Sequence, residues 1–117
     1  MDRPADHVSD QQAREAASDL LRALASPTRI AIVLALLEAP RCVHELVGSL
    51  QLSQPLVSQH LRVLKDAGVV RGQRNGREIM YELVDDHLAH IVTDALTHAM
   101  EPRSASVTAA EREVGSR

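Results

Sequence analysis

The sequence predicts a mainly α chain carrying one β-hairpin, in the order α-α-α-α-β-β-α, and three observations predict it. Apolar residues recur at helical spacing from Ala13 to Leu64, the period changes to alternation between Val69 and Leu83, and helical spacing returns from Asp85 to Glu101. Asn75-Gly76 interrupts the alternating stretch, and both residues tolerate positive φ, which is a strong hairpin signal.

Each element has its own grounds. Residues 1–10 are polar, contain Pro4 and read as a flexible N-terminal arm. Ala13, Ala16, Ala17, Leu20, Leu21 and Leu24 form the apolar face of a first helix that ends near Ser26-Pro27. Thr28 to Glu38 is a second helix through Ile30, Ile32, Val33, Leu36 and Leu37, stopped by Pro40, and Val43 to Leu50 is a short third. Ser53 caps a fourth, with Pro55 in its first turn, apolar contacts at Val57, Leu61 and Leu64, and Gly68 where a left-handed stop is needed. Val69 to Arg74 and Arg77 to Leu83 are the hairpin strands, and Asp85 to Glu101 is the last helix. Residues 102–117, with Pro102, Ser104, Ser106 and Gly115, return to low hydrophobicity and read as a disordered tail. Helix, helix, helix-turn-helix, hairpin, helix is a winged helix-turn-helix, with residues 11–101 as one DNA-binding and dimerisation domain.

Composition and charge agree with that assignment. At 117 residues and 44% hydrophobic, with Tyr81 as its one aromatic, the chain has a core of Leu, Val, Ile and Ala, and a dimer adds to it. The single Cys42 excludes an intrachain disulfide and fits a cytoplasmic location; no segment approaches a membrane span. The net charge of −3 argues against nucleic acid only until its distribution is read. Between Ser58 and Arg77, five cations (Arg62, Lys65, Arg71, Arg74, Arg77) face only Asp66, whereas Glu82 to Glu101 holds five carboxylates and no Lys or Arg. A basic centre on an acidic body fits a small DNA-binding domain whose far end has another task.

That far end carries His87, His90, Asp94, His98 and Glu101 in one polar stripe. At about 100° per residue, His98 lies roughly 20° round from His87, and Asp94 and Glu101 fall within about 40° of the same line. The opposite side holds Leu88, Ile91, Val92, Ala95, Leu96 and Ala99, expected to bury against the protein. His87 and His98 are separated by about 16 Å along the axis, and zinc needs each nitrogen at about 2 Å, so one straight helix cannot close both ends on one ion. Two antiparallel copies can: Asp85 and His87 of one chain meet His98 and Glu101 of the other, giving two equivalent sites per dimer. Spacing alone leaves this reading open beside that of a solvated, His-rich face.

The motifs resemble the ArsR/SmtB family of repressors. The stretch Leu52-Ser53-Gln54-Pro55-Leu56-Val57-Ser58-Gln59-His60-Leu61, continuing to Ala67-Gly68-Val69-Val70, is similar to the family's recognition segment, and Leu24-Ala25-Ser26-Pro27-Thr28-Arg29 is similar to its entry to the second helix. The resemblance covers roughly residues 15–101. It implies a sensor site at Asp85, His87, His98 and Glu101, in the version with a final Glu that resembles the SmtB-type zinc sensors. It also implies a second site near the third helix, which Cys42-Val43-His44-Glu45 matches only in part. An N-terminal partner for it has Asp6 and His7 to offer but no cysteine, and a half-buried structural role for Cys42 stands beside a ligand role. His90 lies outside the family pattern, in a supporting or solvated position.

Gln54, Ser58, Gln59 and Arg62 lie on the fourth helix opposite its apolar side and are the candidates for base edges and phosphates; His60 either joins them or packs in the turn. Arg71, Arg74 and Arg77 on the wing are placed for the backbone or minor groove. The expected function is a homodimeric repressor that binds a roughly palindromic double-stranded operator and is released by Zn2+ between the C-terminal helices, the direction of response coming from the family alone. Recruiting His90 or His7 would raise the coordination number and favour Ni2+ or Co2+. A metal-independent winged-helix regulator is the alternative from another class; a zinc hydrolase lacks an open ligand position with a nearby general base.

Overall fold

A computed structural model describes residues 4–102, with side chains from Ser9 onward. Its elements are α1 (Pro4–Leu24), α2 (Pro27–Glu38), α3 (Val43–Leu50), α4 (Gln54–Asp66), β1 (Val70–Asn75), β2 (Glu78–Leu83) and α5 (Asp86–Met100). The order is the expected one, and the architecture is a winged helix-turn-helix.

Local chemistry sets the helix starts. Ser26 and Ser53 each place a hydroxyl oxygen to accept the backbone N–H three residues on, from Arg29 at 3.2 Å and from Leu56 at 3.3 Å, with Pro27 and Pro55 in the first turns that follow. At α3 the carboxylate of Glu45 accepts the N–H of Cys42 at 3.0 Å. The start of α1 differs from the sequence expectation: the helix runs from Pro4, so the polar segment through residue 10 is helical from there on. Proline is at home in a first helical turn, and low hydrophobicity deprives a segment of packing rather than of helical dihedrals. Residues 1–3 of the expected arm and 103–117 of the expected tail lie outside the described residues.

α2 is the central post. It touches α1, α3, α4, α5 and β2, and Ile32, Val33 and Leu36 bury among Leu46 of α3, Val57, Leu61 and Leu64 of α4, Val69, Val70, and Leu88 and Val92 of α5. Each such aliphatic side chain taken out of water contributes about 1.5–3 kcal/mol, which fixes the helix-turn-helix against the post.

The hairpin pairs β1 and β2 antiparallel from Val70↔Leu83 to Asn75↔Glu78. Asn75 is thus the last paired residue, and the two-residue loop is Gly76-Arg77 rather than Asn75-Gly76. Gly76 has φ +68 and Arg77 does not share the left-handed region, the pattern of a turn with glycine first. Gly72 is required by close approach: a Cβ there would sit 2.7 Å from Ile79 Cγ2 and 3.2 Å from Tyr81 Cε1. A second pairing, unforeseen in the sequence, joins Arg41 to Tyr81 through two backbone hydrogen bonds of 3.0 and 2.8 Å, tying the hairpin base to the α2–α3 connection.

α1 and α2 meet at 90° and, among the described residues, no single helix is long and apolar enough to cross a membrane. The apolar face of α1 is largely uncovered. Leu24 is buried and Leu20 half-buried, but Ala13, Ala16 and Ala17 are exposed and Leu21 keeps 54% of its surface. On α5, Leu88 and Val92 bury and Ile91 is half-buried. Ala95, Leu96 and Ala99, expected to bury as well, stay exposed. They line an open groove with Leu21, Leu24, Ala25 and Ile30.

Candidate metal centre and nucleic-acid interface

The four predicted ligands fall into two pairs at the two ends of α5. Asp85 is the N-cap; its Oδ1 accepts the N–H of Leu88 at 3.3 Å, and its Oδ2 lies 3.5 Å from Nδ1 of His87. Capping therefore aims the second carboxylate oxygen at the imidazole. At the other end, Nδ1 of His98 lies 3.7 Å from Oε1 of Glu101, the C-cap residue. His87 and His98 keep 88% and 76% of their side-chain surface, so both rings are open to a partner.

The donor sets fit zinc. Two ligands each about 2.05 Å from a tetrahedral ion stand about 3.3 Å apart, close to the N···O separations of both pairs, and imidazole with carboxylate suits a borderline divalent ion. Neither pair is a site alone: among the described residues of one chain, no group of three or more His, Cys, Asp or Glu is placed to hold a metal. His90 and Asp94 lie exposed between the pairs. Cys42 is buried and its thiol donates to Glu78 Oε2 at 3.7 Å, whereas His44 is exposed, and among the described residues neither belongs to a group of three or more metal-ligating side chains. His7 lies outside the residues whose side chains are described.

An apolar groove runs between α1 and α5. Leu21, Leu24 and Ala25 at the end of α1 line it with Ile30 of α2 and Ile91, Val92, Ala95, Leu96 and Ala99 of α5; Leu96 is 43% exposed.

On the opposite part of the molecule, α3, the turn at Gln51 and α4 form the helix-turn-helix. Gln51 takes φ 56 and its N–H donates to the carbonyl of Val47, closing α3 with a left-handed residue that is not glycine. Gln54, Ser58, Gln59 and Arg62 are exposed on α4, and Arg71, Arg74 and Arg77 are exposed on the wing. Arg71 is partly committed, its Nε donating to Glu82 at 2.8 Å across the hairpin. Arg62, Arg74 and Arg77 form no ion pair among the described residues, which leaves three uncommitted cations. His60 stands apart from this group: it is half-buried, and its Nδ1 lies 3.3 Å from Nη1 of Arg29. This contact is not legible in the sequence, because the motif position of Arg29 marks a helix entry and gives no sign of a partner 31 residues away.

The fold is that of the winged helix-turn-helix class of DNA-binding domains, and the comparisons with known proteins give its family. Residues 26–71 match the family described as bacterial regulatory protein, arsR family. The chain is 67% identical over 87 residues to the HTH-type transcriptional repressor SmtB of Mycobacterium tuberculosis, covering 74% of this chain and 64% of that protein; it thus spans somewhat under two thirds of that relative's length. It is 39% identical over 97 residues to the HTH-type transcriptional regulator NmtR of the same species, covering 83% of this chain and 80% of the relative. The crystal structure of the transcriptional repressor BigR from Xylella fastidiosa superposes with a TM-score of 0.68 at 32% identity, covering 84% of this chain and 98% of that one. The chain belongs to the ArsR/SmtB family of transcriptional regulators.

Proposed function

We propose that the protein is a cytoplasmic, homodimeric transcriptional repressor that binds operator DNA through α4 and the wing and releases it when zinc binds between two α5 helices. The observation that carries this reading is the arrangement of α5. Two open His–carboxylate pairs stand at its ends, and α5 also lines an apolar groove that a second α1–α5 face of the same kind would fill. Antiparallel pairing across a two-fold axis brings Asp85 and His87 of one protomer to His98 and Glu101 of its partner. Relatives named as transcriptional repressors support repression, and the sign of the metal response rests on the family resemblance.

Zinc, as the sensed ion, supplies a divalent charge that four N/O donors can share without redox chemistry. The protein's own residues supply the switch. α5 packs on α2, and α2 packs on α4, so a change in how the two α5 helices cross is passed through the post to the spacing of the two α4 helices. A pair of recognition helices must match half-sites about one DNA turn apart, and a changed spacing costs affinity on one side or the other. The coupling is reciprocal, so operator DNA weakens zinc binding by the factor by which zinc weakens DNA binding.

The test is titration of zinc into chelator-stripped protein bound to a duplex selected from a random-sequence library. Release of the wild type, with His98→Ala holding DNA regardless of zinc, is the expected result. Unchanged affinity of the wild type would refute the switch.

A further inference from the structure

Arg29 is a half-buried cation with no carboxylate partner among the described residues. Its Nε donates to the carbonyl of Ala23 at the end of α1, at 2.5 Å, and its Nη1 meets Nδ1 of His60 on α4 at 3.3 Å. Its own N–H is held by the Ser26 cap at 3.2 Å, so the start of the side chain is fixed as well as its tip. Arginine offers only donors. Nδ1 of His60 must then be the acceptor, which puts the ring proton on Nε2.

We infer that Arg29 and His60 are positioning residues for DNA recognition, together holding α4 at a fixed roll against the α1–α2 corner, and that His60 does not itself read bases. This rests on α4 being the recognition element. Val57, Leu61 and Leu64 attach α4 to the core through apolar contacts, which are non-directional and resist rolling weakly. His60 lies at the edge of that buried face, where one directional bond acts off the helix axis. The stake is geometric: at a side-chain radius of about 5–6 Å, a roll of about 20° moves the tips of Gln59 and Arg62 by about 2 Å, more than a base-edge hydrogen bond tolerates. The same guanidinium grips the end of α1, one wall of the apolar groove, so the bond also ties the reading helix to the face on which a second copy is proposed to sit.

The two amides that mimic histidine separate positioning from contact. In the full-length chain, His60→Asn keeps an acceptor near the place of Nδ1, whereas His60→Gln keeps a polar group near the place of Nε2 and removes that acceptor. On a duplex selected from a random-sequence library, we expect His60→Asn to bind within about twofold of wild type. His60→Gln and Arg29→Ala should each lose about tenfold, the scale of one charge-assisted hydrogen bond, and the double variant should be no worse than either. The salt dependence of Arg29→Ala should keep the wild-type slope. The reverse ranking of the two amides, additive losses, or a slope reduced by about 0.9 in Arg29→Ala would make these residues direct DNA contacts and overturn the proposal. Nitrogen-15 spectra of the free protein test the bond without DNA: an Nε2–H ring in His60 whose Nδ1 resonance shifts in Arg29→Ala supports it, and an Nδ1–H ring, or an Nδ1 resonance unmoved in Arg29→Ala, refutes it. Failure to select any duplex sequence would instead refute the DNA-binding reading, a result separate from the ring's tautomer.

Discussion

Leu46 and Leu96 are both leucines on amphipathic helices, yet Leu46 has no exposed surface and Leu96 keeps 43% of its own. The contrast extends to their surroundings. Around Leu46, α2, α3, α4 and the hairpin base close on one another, and Ile32, Val33, Val57, Leu61 and Leu64 are buried with it. Around Leu96, α1 and α5 present Leu21, Ala95 and Ala99 to a groove that nothing among the described residues fills. One half of the molecule is finished by its own sequence. The other half has the composition of a core and the exposure of a surface, which suits a face shared with another copy.

Four substitutions sharpen or break this contrast. Leu46→Ala should cost about 2–5 kcal/mol in chemical denaturation, because the site is closed on all sides and a cavity remains. Leu96→Glu should leave the fold of each protomer intact but weaken self-association by about 2–4 kcal/mol in sedimentation equilibrium; a variant that unfolds instead would mean that the groove belongs to the core. Gly72→Ala should cost about 1–3 kcal/mol of stability and reduce DNA affinity, since its Cβ cannot be placed without moving Ile79 and Tyr81. Ser53→Ala should cost about 1 kcal/mol, read as a lower melting temperature, through the lost cap of α4.

Where the sequence was legible, one local rule decided the outcome. Ser26, Ser53 and Gly68 punctuate helices by the chemistry of a single residue, and the spacing of Val57, Leu61 and Leu64 identifies the inner face of α4 without reference to anything else. The proposed ligands read from the sequence as two pairs at the two ends of the last helix; the cap that sets the Asp85 carboxylate beside His87 was not read there. Features that depend on a distant partner were hidden. The Arg41–Tyr81 bridge is one residue long and has no period to detect, and the bond from Arg29 to His60 spans 31 residues. The hairpin loop moved by one residue because Asn75 and Gly76 both tolerate positive φ, and the pairing of Asn75 with Glu78 decides which of them turns. Helical period showed that Ala95, Leu96 and Ala99 lie on the apolar side of α5, but a period cannot say whether the cover comes from the same chain.

The central claim is that one metal site is assembled from two chains, and mixing two disabled chains tests it directly. A chain carrying Asp85→Ala and His87→Ala lacks one half-site, and a chain carrying His98→Ala and Glu101→Ala lacks the other. Neither homodimer should bind cobalt tightly. In the mixed dimer, His98 and Glu101 of the first chain meet Asp85 and His87 of the second, so one intact site per dimer should return, visible as intense tetrahedral d-d bands. If mixing restores nothing, or if either homodimer binds as the wild type does, the shared site does not exist.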